Sequence, residues 1–190
     1  IADQLAADKK YEQAAARYIK LLDEHPDNEF ADSALNNAAV AYEKVSRFDS
    51  ASQLYERVVK DFPDSALADS ALFRVGLNAE RFFNFDKAIG AYLSLAKKYP
   101  KSESRADAIY NAALSLENTQ DYKKSAKQYL SYCKHFPDRD DAPAPSRLSN
   151  RPELAGTRRL GMPVRLHRDE SRIRQGVQGG LTERRGTAAP

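Results

Sequence analysis

The chain has 190 residues, with 30 Lys and Arg against 27 Asp and Glu, a formal net charge of +3, one Cys and no Trp. No apolar run approaches the roughly 20 residues of a membrane-spanning helix, and the lone Cys133 has no internal disulfide partner. Up to Pro137 there are 19 basic and 20 acidic residues, so that part lacks the basic stripe on which counterion-release binding to nucleic acid depends.

In chain order, apolar periodicity predicts a helix over about residues 1–8 paired with one over 11–24. Further pairs follow at 30–46 with 48–61, 66–83 with 85–98, and 103–119 with 122–135. Pro26, Pro63, Pro100 and Pro137 close the four pairs, stand 37 residues apart and are the only prolines in the first 142 residues. A repeat of this length is the mark of supersecondary units stacked in tandem. Ile1 stands inside what reads as a first helix. The opening is therefore expected to cut through a repeat, leaving any signal peptide, lipid-attachment cysteine or upstream domain out of view.

Aligned on the prolines, the units share columns. One reads Tyr18, Tyr55, Tyr92, Tyr129; another, seven residues earlier, reads Tyr11, Phe48, Phe85, Tyr122. Ala14, Ala51 and Ala88 lie between them, with Ser125 in the fourth unit. Further back come small residues, Ala2, Ala39, Gly76 and Ala113, preceded by Leu35, Leu72 and Ile109. Large residues facing small ones at helical spacing are what two closely packed helices require.

This column set, clearest in Leu72…Val75-Gly76…Phe85…Ala88-Ile89…Tyr92…Pro100, resembles the tetratricopeptide repeat (TPR), a helix–turn–helix unit of roughly 34 residues. The resemblance covers residues 1 to about 137 and implies an all-α fold, a right-handed α-solenoid of one partial and three full repeats over 1–137. The three extra residues per unit fall just after each proline, as in Pro63-Asp-Ser-Ala-Leu-Ala-Asp-Ser-Ala-Leu72. With Asp27, Asp64 or Ser65 as N-cap, they predict that the first helix of each unit starts about a turn early. Units of this kind are similar to those of bacterial cell-envelope proteins, the β-barrel assembly lipoprotein and the Tol–Pal-associated division coordinator. That likeness implies a periplasmic or outer-membrane-associated setting, with the cytoplasm as the other.

Residues 138–190 are a different polymer, with 11 Arg, no Lys, no aromatic residue and six of the eight glycines. Without an apolar period this segment cannot offset its ordering entropy and is expected to be disordered. Two accounts fit it: a natural Arg-rich extension, with a net charge of +4 (11 Arg against 7 Asp and Glu), that could touch nucleic acid or anionic lipid, or out-of-frame translation after about Ala142. The break inside a repeat opening favours the second.

No catalytic, cofactor or metal constellation stands out. His25, His135 and His167 have no partner at ligand or triad spacing; His25 and His135 precede repeat prolines, where turn packing accounts for them. The expectation is therefore a non-enzymatic scaffold with a protein or peptide partner and no small-molecule substrate. The alternative is a docking region of a larger enzyme or signalling protein. The groove-lining positions implied by the resemblance are Asn36, Phe73 and Tyr110; Asn37, Arg74 and Asn111; and Val40, Leu77 and Leu114. One turn on lies an acidic ladder, Glu43, Glu80 and Glu117. Aromatic area and amides there suit an extended or helical peptide, with a solvated or packed face as the plainer reading. The carboxylate clamp that grips acidic chaperone tails is not expected, because its matching places hold Asn36, Val40, Asp107 and Asn111, and only Arg74 is basic.

Overall fold

The alternation of large and small residues produces helical hairpins in the computed structural model, which describes residues 1–25, 28–137 and 139. In chain order the helices are α1 (Ala2–Ala7), α2 (Tyr11–Glu24), α3 (Ala31–Lys44), α4 (Phe48–Asp61), α5 (Ala68–Arg81), α6 (Phe85–Lys98), α7 (Arg105–Asn118) and α8 (Tyr122–His135). There is no strand among the described residues. The chain divides into two units, Ile1–His135 and Phe136–Pro190, and all eight helices belong to the first. The expectations for 138–190, Arg139 aside, and capping by Asp27 lie outside the described residues. Each helix packs chiefly on its neighbours in sequence, the quasi-one-dimensional arrangement of an α-solenoid.

Two kinds of turn recur every 37 residues. Inside each hairpin, Lys9, Ser46, Phe83 and Gln120 take left-handed backbone, with φ of 59, 61, 56 and 62°. The next amide reaches back five residues, from Lys10 to the Leu5 carbonyl, Arg47 to Tyr42, Asn84 to Ala79 and Asp121 to Leu116, at 2.8–3.0 Å. This is a Schellman closure, made without the usual glycine. A non-glycine residue held there costs on the order of 1 kcal/mol or more.

Between hairpins the sequence expectation needs correcting. The first helices do not start a turn early; α3, α5 and α7 are each 14 residues long, as are α2, α4, α6 and α8. The extra residues instead form a tight turn. The Phe30, Leu67 and Ser104 amides donate to the side chains of Asn28, Ser65 and Ser102 at 2.8, 3.1 and 3.1 Å. The amides of those three residues donate to the carbonyls of His25, Phe62 and Tyr99. Ser65 is therefore a turn former two residues ahead of Leu67, and the N-cap residue Leu67 has no side-chain cap. A short Asn or Ser side chain satisfies the local backbone better as a turn than as an added helical turn. The Ser65 hydroxyl also donates to Asp32 in the first turn of α3, which with the Ser33 amide holds the Asp32 carboxyl below its ordinary range.

The core follows the columns. Tyr18, Tyr55, Tyr92 and Tyr129 are all buried, as are Ala14, Ala51, Ala88 and Ser125. Tyr11, Phe48, Phe85 and Tyr122 are half-buried at the hairpin mouths. Cys133 is buried in α8, and burial pushes its thiol pKa up. At Gly76 the packing is tightest: a Cβ there would stand 2.4 Å from Cε1 of Tyr92 and 2.7 Å from two more ring atoms. Tyr92 is fully buried and lies 5.5 Å from the Phe73 ring, so it has nowhere to retreat. Gly90, exposed on α6, has nothing within 4 Å of its missing Cβ.

Two glycine substitutions should therefore differ in sign. Gly76→Leu is expected to lower stability by about 1–3 kcal/mol through overpacking. Gly90→Ala should raise it by about 0.5–1 kcal/mol through helix propensity and reduced unfolded-state freedom. Urea midpoints measured on both variants check this, and equal shifts would contradict the assignment of Gly76 to the helix contact.

Candidate functional site

The nine expected groove positions all lie on α3, α5 and α7. Asn36, Phe73 and Tyr110 are half-buried, as are Val40, Leu77, Leu114 and Asn111, whereas Asn37 and Arg74 are exposed. Helical geometry puts the members of each hairpin's set one turn apart on one face. The Phe73 ring lies tilted at 52° against Tyr92, and Tyr110 sits between Tyr129 and Tyr132, 5.8 Å from each ring centre. Both aromatics thus have one side against the core and keep partial exposure on the other.

The middle column does structural work. Asn37 lies by the hydroxyl of Tyr18, Arg74 by that of Tyr55, and Asn111 by that of Tyr92, each residue 19 positions after its tyrosine. Arg74 is no free groove cation, because its Nη1 pairs with Glu43 Oε2 at 3.0 Å. The acidic ladder is neither a ligand-facing row nor a solvated face at Glu43 and Glu80. The Glu43 carboxylate also accepts from Asn78 Nδ2 at 2.9 Å, while Glu80 accepts from Tyr92 at 3.1 Å and from Ser115 at 2.6 Å. Each of these glutamates thus bonds the first helix of the next hairpin. Charge-assisted bonds of this kind are stronger than neutral ones, and Asn78 and Ser115 are buried.

This polar spine was missed by reasoning from the sequence, although a signal existed. Glu43 and Glu80 are 37 residues apart, and so are Asn78 and Ser115; a polar column inside an apolar stripe at the repeat period marks a buried partner. The histidine expectation also changes. His25 and His135 are exposed, whereas Phe62, Tyr99 and Phe136, each just before a repeat proline, are half-buried. His135 Nδ1 instead donates to the Ser131 carbonyl at 2.7 Å, a bond suited to a helix C-terminus.

Chemically this face offers apolar area and amides. No group of three or more His, Cys, Asp or Glu stands where it could hold a metal among the described residues, and no described helix is long and apolar enough to cross a membrane. A shallow pocket of about 380 Å³ lies away from this face, between the turns at Ser65–Asp69 and Lys98–Ser102. Tyr99 donates to the Pro63 carbonyl across those turns at 3.1 Å.

Two outcomes are expected from the spine. Glu80→Ala removes the acceptor shared by Tyr92 and the buried Ser115 and is expected to cost about 1–3 kcal/mol, with Glu80→Gln, which keeps an acceptor, costing less; thermal unfolding of the pair measures the difference. The second concerns pH. Burial, then Asp3, raises the Tyr18 pKa to about 12; burial, then Glu43 or Glu80, raises those of Tyr55 and Tyr92. A raised folded pKa gives stability that is complete below the unfolded value of about 10 and is lost as pH rises through the folded one. These tyrosines should therefore ionise last, together with loss of helical circular dichroism. Phenolate absorbance that reaches all ten tyrosines while helicity persists would contradict their burial.

Comparison with known proteins agrees with this geometry. A tetratricopeptide-repeat family profile matches residues 1–66 and 36–103, and a second profile of the same name matches 107–139. No curated protein sequence matches the chain. Among solved structures, that of MamA is similar at a TM-score of 0.57 and 19% identity over 72% of this chain and 75% of MamA. MamA residues 41 to the end from Desulfovibrio magneticus RS-1 give 0.54 and 18% over 74% of each chain. BtubC from P. vanneervenii gives 0.53 and 15% over 100% of this chain and 83% of its own. At such identities these structures support the fold. With the family profiles spanning most of the helical region, the chain belongs to the tetratricopeptide repeat family.

Proposed function

We propose that this chain is a protein-interaction scaffold whose α3–α5–α7 face takes an extended or helical peptide of a partner protein. The observation that carries the reading is the row of partly exposed apolar groups, Val40, Leu77 and Leu114 with Phe73 and Tyr110, repeated at one position per hairpin. A side chain half-packed on the core is rigid before binding, so little further entropy is lost when a ligand covers it. Asn36 beside this row supplies amide groups for a peptide backbone. Arg74 is excluded as a main anchor, because using it would leave Glu43 without its cation. A bacterial cell-envelope setting, with a role in outer-membrane assembly or envelope organisation, is part of the proposal and rests on the likeness of the 37-residue units alone.

Phe73→Ala with Tyr110→Ala is expected to weaken partner binding at least about tenfold, the scale of an aromatic hot spot, with helical circular dichroism retained. Photo-crosslinkers placed at 77 and 114 should capture the same partner, and one at the exposed Glu56 on α4 should not. Capture from position 56 alone would move binding to the other face and end this reading.

A further inference from the structure

We propose that the exposed face of α8 docks an acidic segment of a partner protein, at a site separate from the α3–α5–α7 face. Lys123, Lys127, Leu130 and Lys134 are all exposed, and their spacing of four, three and four residues puts them in one line along the helix, over about 16 Å. The charge of the second helices changes along the array. α2 and α4 each have three acidic and two basic residues, α6 has one acidic and three basic, and α8 has four lysines and no acid. Lys123 stands where the other hairpins have Glu12, Asp49 and Asp86, each in the first turn of its helix. A carboxylate there complements the positive end of the helix dipole, and a lysine opposes it. Helix stability therefore does not account for Lys123, and α8 alone of these four helices has no acid in its first turn.

The excess charge is not cancelled by its neighbours. Lys123, Lys127 and Lys134 have no carboxylate within ion-pair distance among the described residues. Of the acids nearby, Asp121 pairs with Lys124 at 2.6 Å and Asp86 bears on the same lysine, which lies off this line. Asp107 and Glu117 on α7 are half-buried. Over the whole stretch from Phe85 to Pro137, nine Lys and Arg stand against five Asp and Glu. Leu130 gives the line an apolar centre at 37% exposure, so a segment with carboxylates around one apolar side chain matches it. Nucleic acid fits less well, because α8 has no Arg and its Tyr129 and Tyr132 are buried, out of reach of a stacking base. A bilayer would find a single leucine to take up. Residues 138–190 of the chain itself have the same sign, 11 Arg against 7 Asp and Glu. A second copy would bring α2 and α4, whose Glu12, Glu24, Glu56 and Asp61 are already paired.

The probe is a fluorescein-labelled helical peptide of Ala and Gln that carries three glutamates and one leucine at the spacing of the α8 line, with a scrambled peptide of the same composition beside it. The full chain should bind the patterned peptide more tightly than the scrambled one, and binding should weaken as salt rises. Lys123→Asp combined with Lys127→Glu and Lys134→Glu should weaken it at least about tenfold. Lys123→Asp alone supplies the acid that Asp49 and Asp86 supply in two other hairpins, so it should raise the thermal midpoint while lowering affinity, which separates lost binding from lost fold. Equal binding of the two peptides overturns the proposal. So does a triple variant that binds as the original chain does, which would assign the peptide to the Arg-rich residues 138–190. Duplex DNA held more tightly than the peptide, and released by the same triple variant, would assign the face to nucleic acid and overturns it too.

Discussion

One buried tyrosine per hairpin, opposite a position kept as small as Ala or Gly, sets the geometry on which the array depends. The ring of Tyr92 occupies the space a Cβ at Gly76 would need, so α5 and α6 approach more closely than two ordinary side chains would allow. Ala39 and Ala113 keep the same position small in the neighbouring hairpins, and both are buried. The depth of the ring determines the separation of the two helices. In Tyr92 the length of the side chain carries the hydroxyl across the apolar layer to the Glu80 carboxylate, which accepts from it at 3.1 Å, as burial of a hydroxyl requires.

That obligation ties one hairpin to the next. Glu80 answers the Tyr92 hydroxyl from within the hairpin and takes Ser115 from the following one. Glu43 takes Asn78 and Arg74 of the following hairpin in the same way. Contacts between sequence neighbours alone would let similar units stack in several orders, because the apolar columns are nearly identical. The polar partners differ from one junction to the next: a short hydroxyl at one, an amide with a guanidinium at the other. Differences of that kind favour one register over its alternatives, since a misplaced unit leaves a buried polar group unsatisfied.

The fold was legible because its signal is global. Four prolines and two aromatic columns in a common register outweigh any local ambiguity, and the hairpins stand where they place them. The helix starts were not legible, for a local reason. Ser65 preceded by Asp64 reads equally as a cap or as a turn, and what decides between them is the backbone bonding around the Phe62 carbonyl together with Asp32 of α3. The left-handed positions were hidden in a similar way, since Lys9, Ser46, Phe83 and Gln120 share no side-chain chemistry. The expected groove columns lie on α3, α5 and α7, but the partners of Arg74 and of the acidic ladder beside them lie 31 to 35 residues away, beyond any reading within one unit.

On the proposed reading the α3–α5–α7 face would combine two jobs in adjacent columns, and the physical chemistry separates them. Arg74 is bonded to Glu43 of the preceding hairpin, and Asn37 and Asn111 lie by the tyrosine hydroxyls of theirs, so a ligand that recruited them would have to replace those interactions or lose stability elsewhere. Phe73, Leu77 and Leu114 carry no such obligation, and with Tyr110, packed on Tyr129 and Tyr132, they stay half-buried. Specificity on this surface should then come from the shape and spacing of apolar groups, with charge contributing little. The spine is the reason: Glu43 is paired with Arg74 and Glu80 is held by two hydroxyls, so both carboxylates are engaged in holding the hairpins in order, and what remains for the proposed partner is a stepped apolar strip bordered by amides.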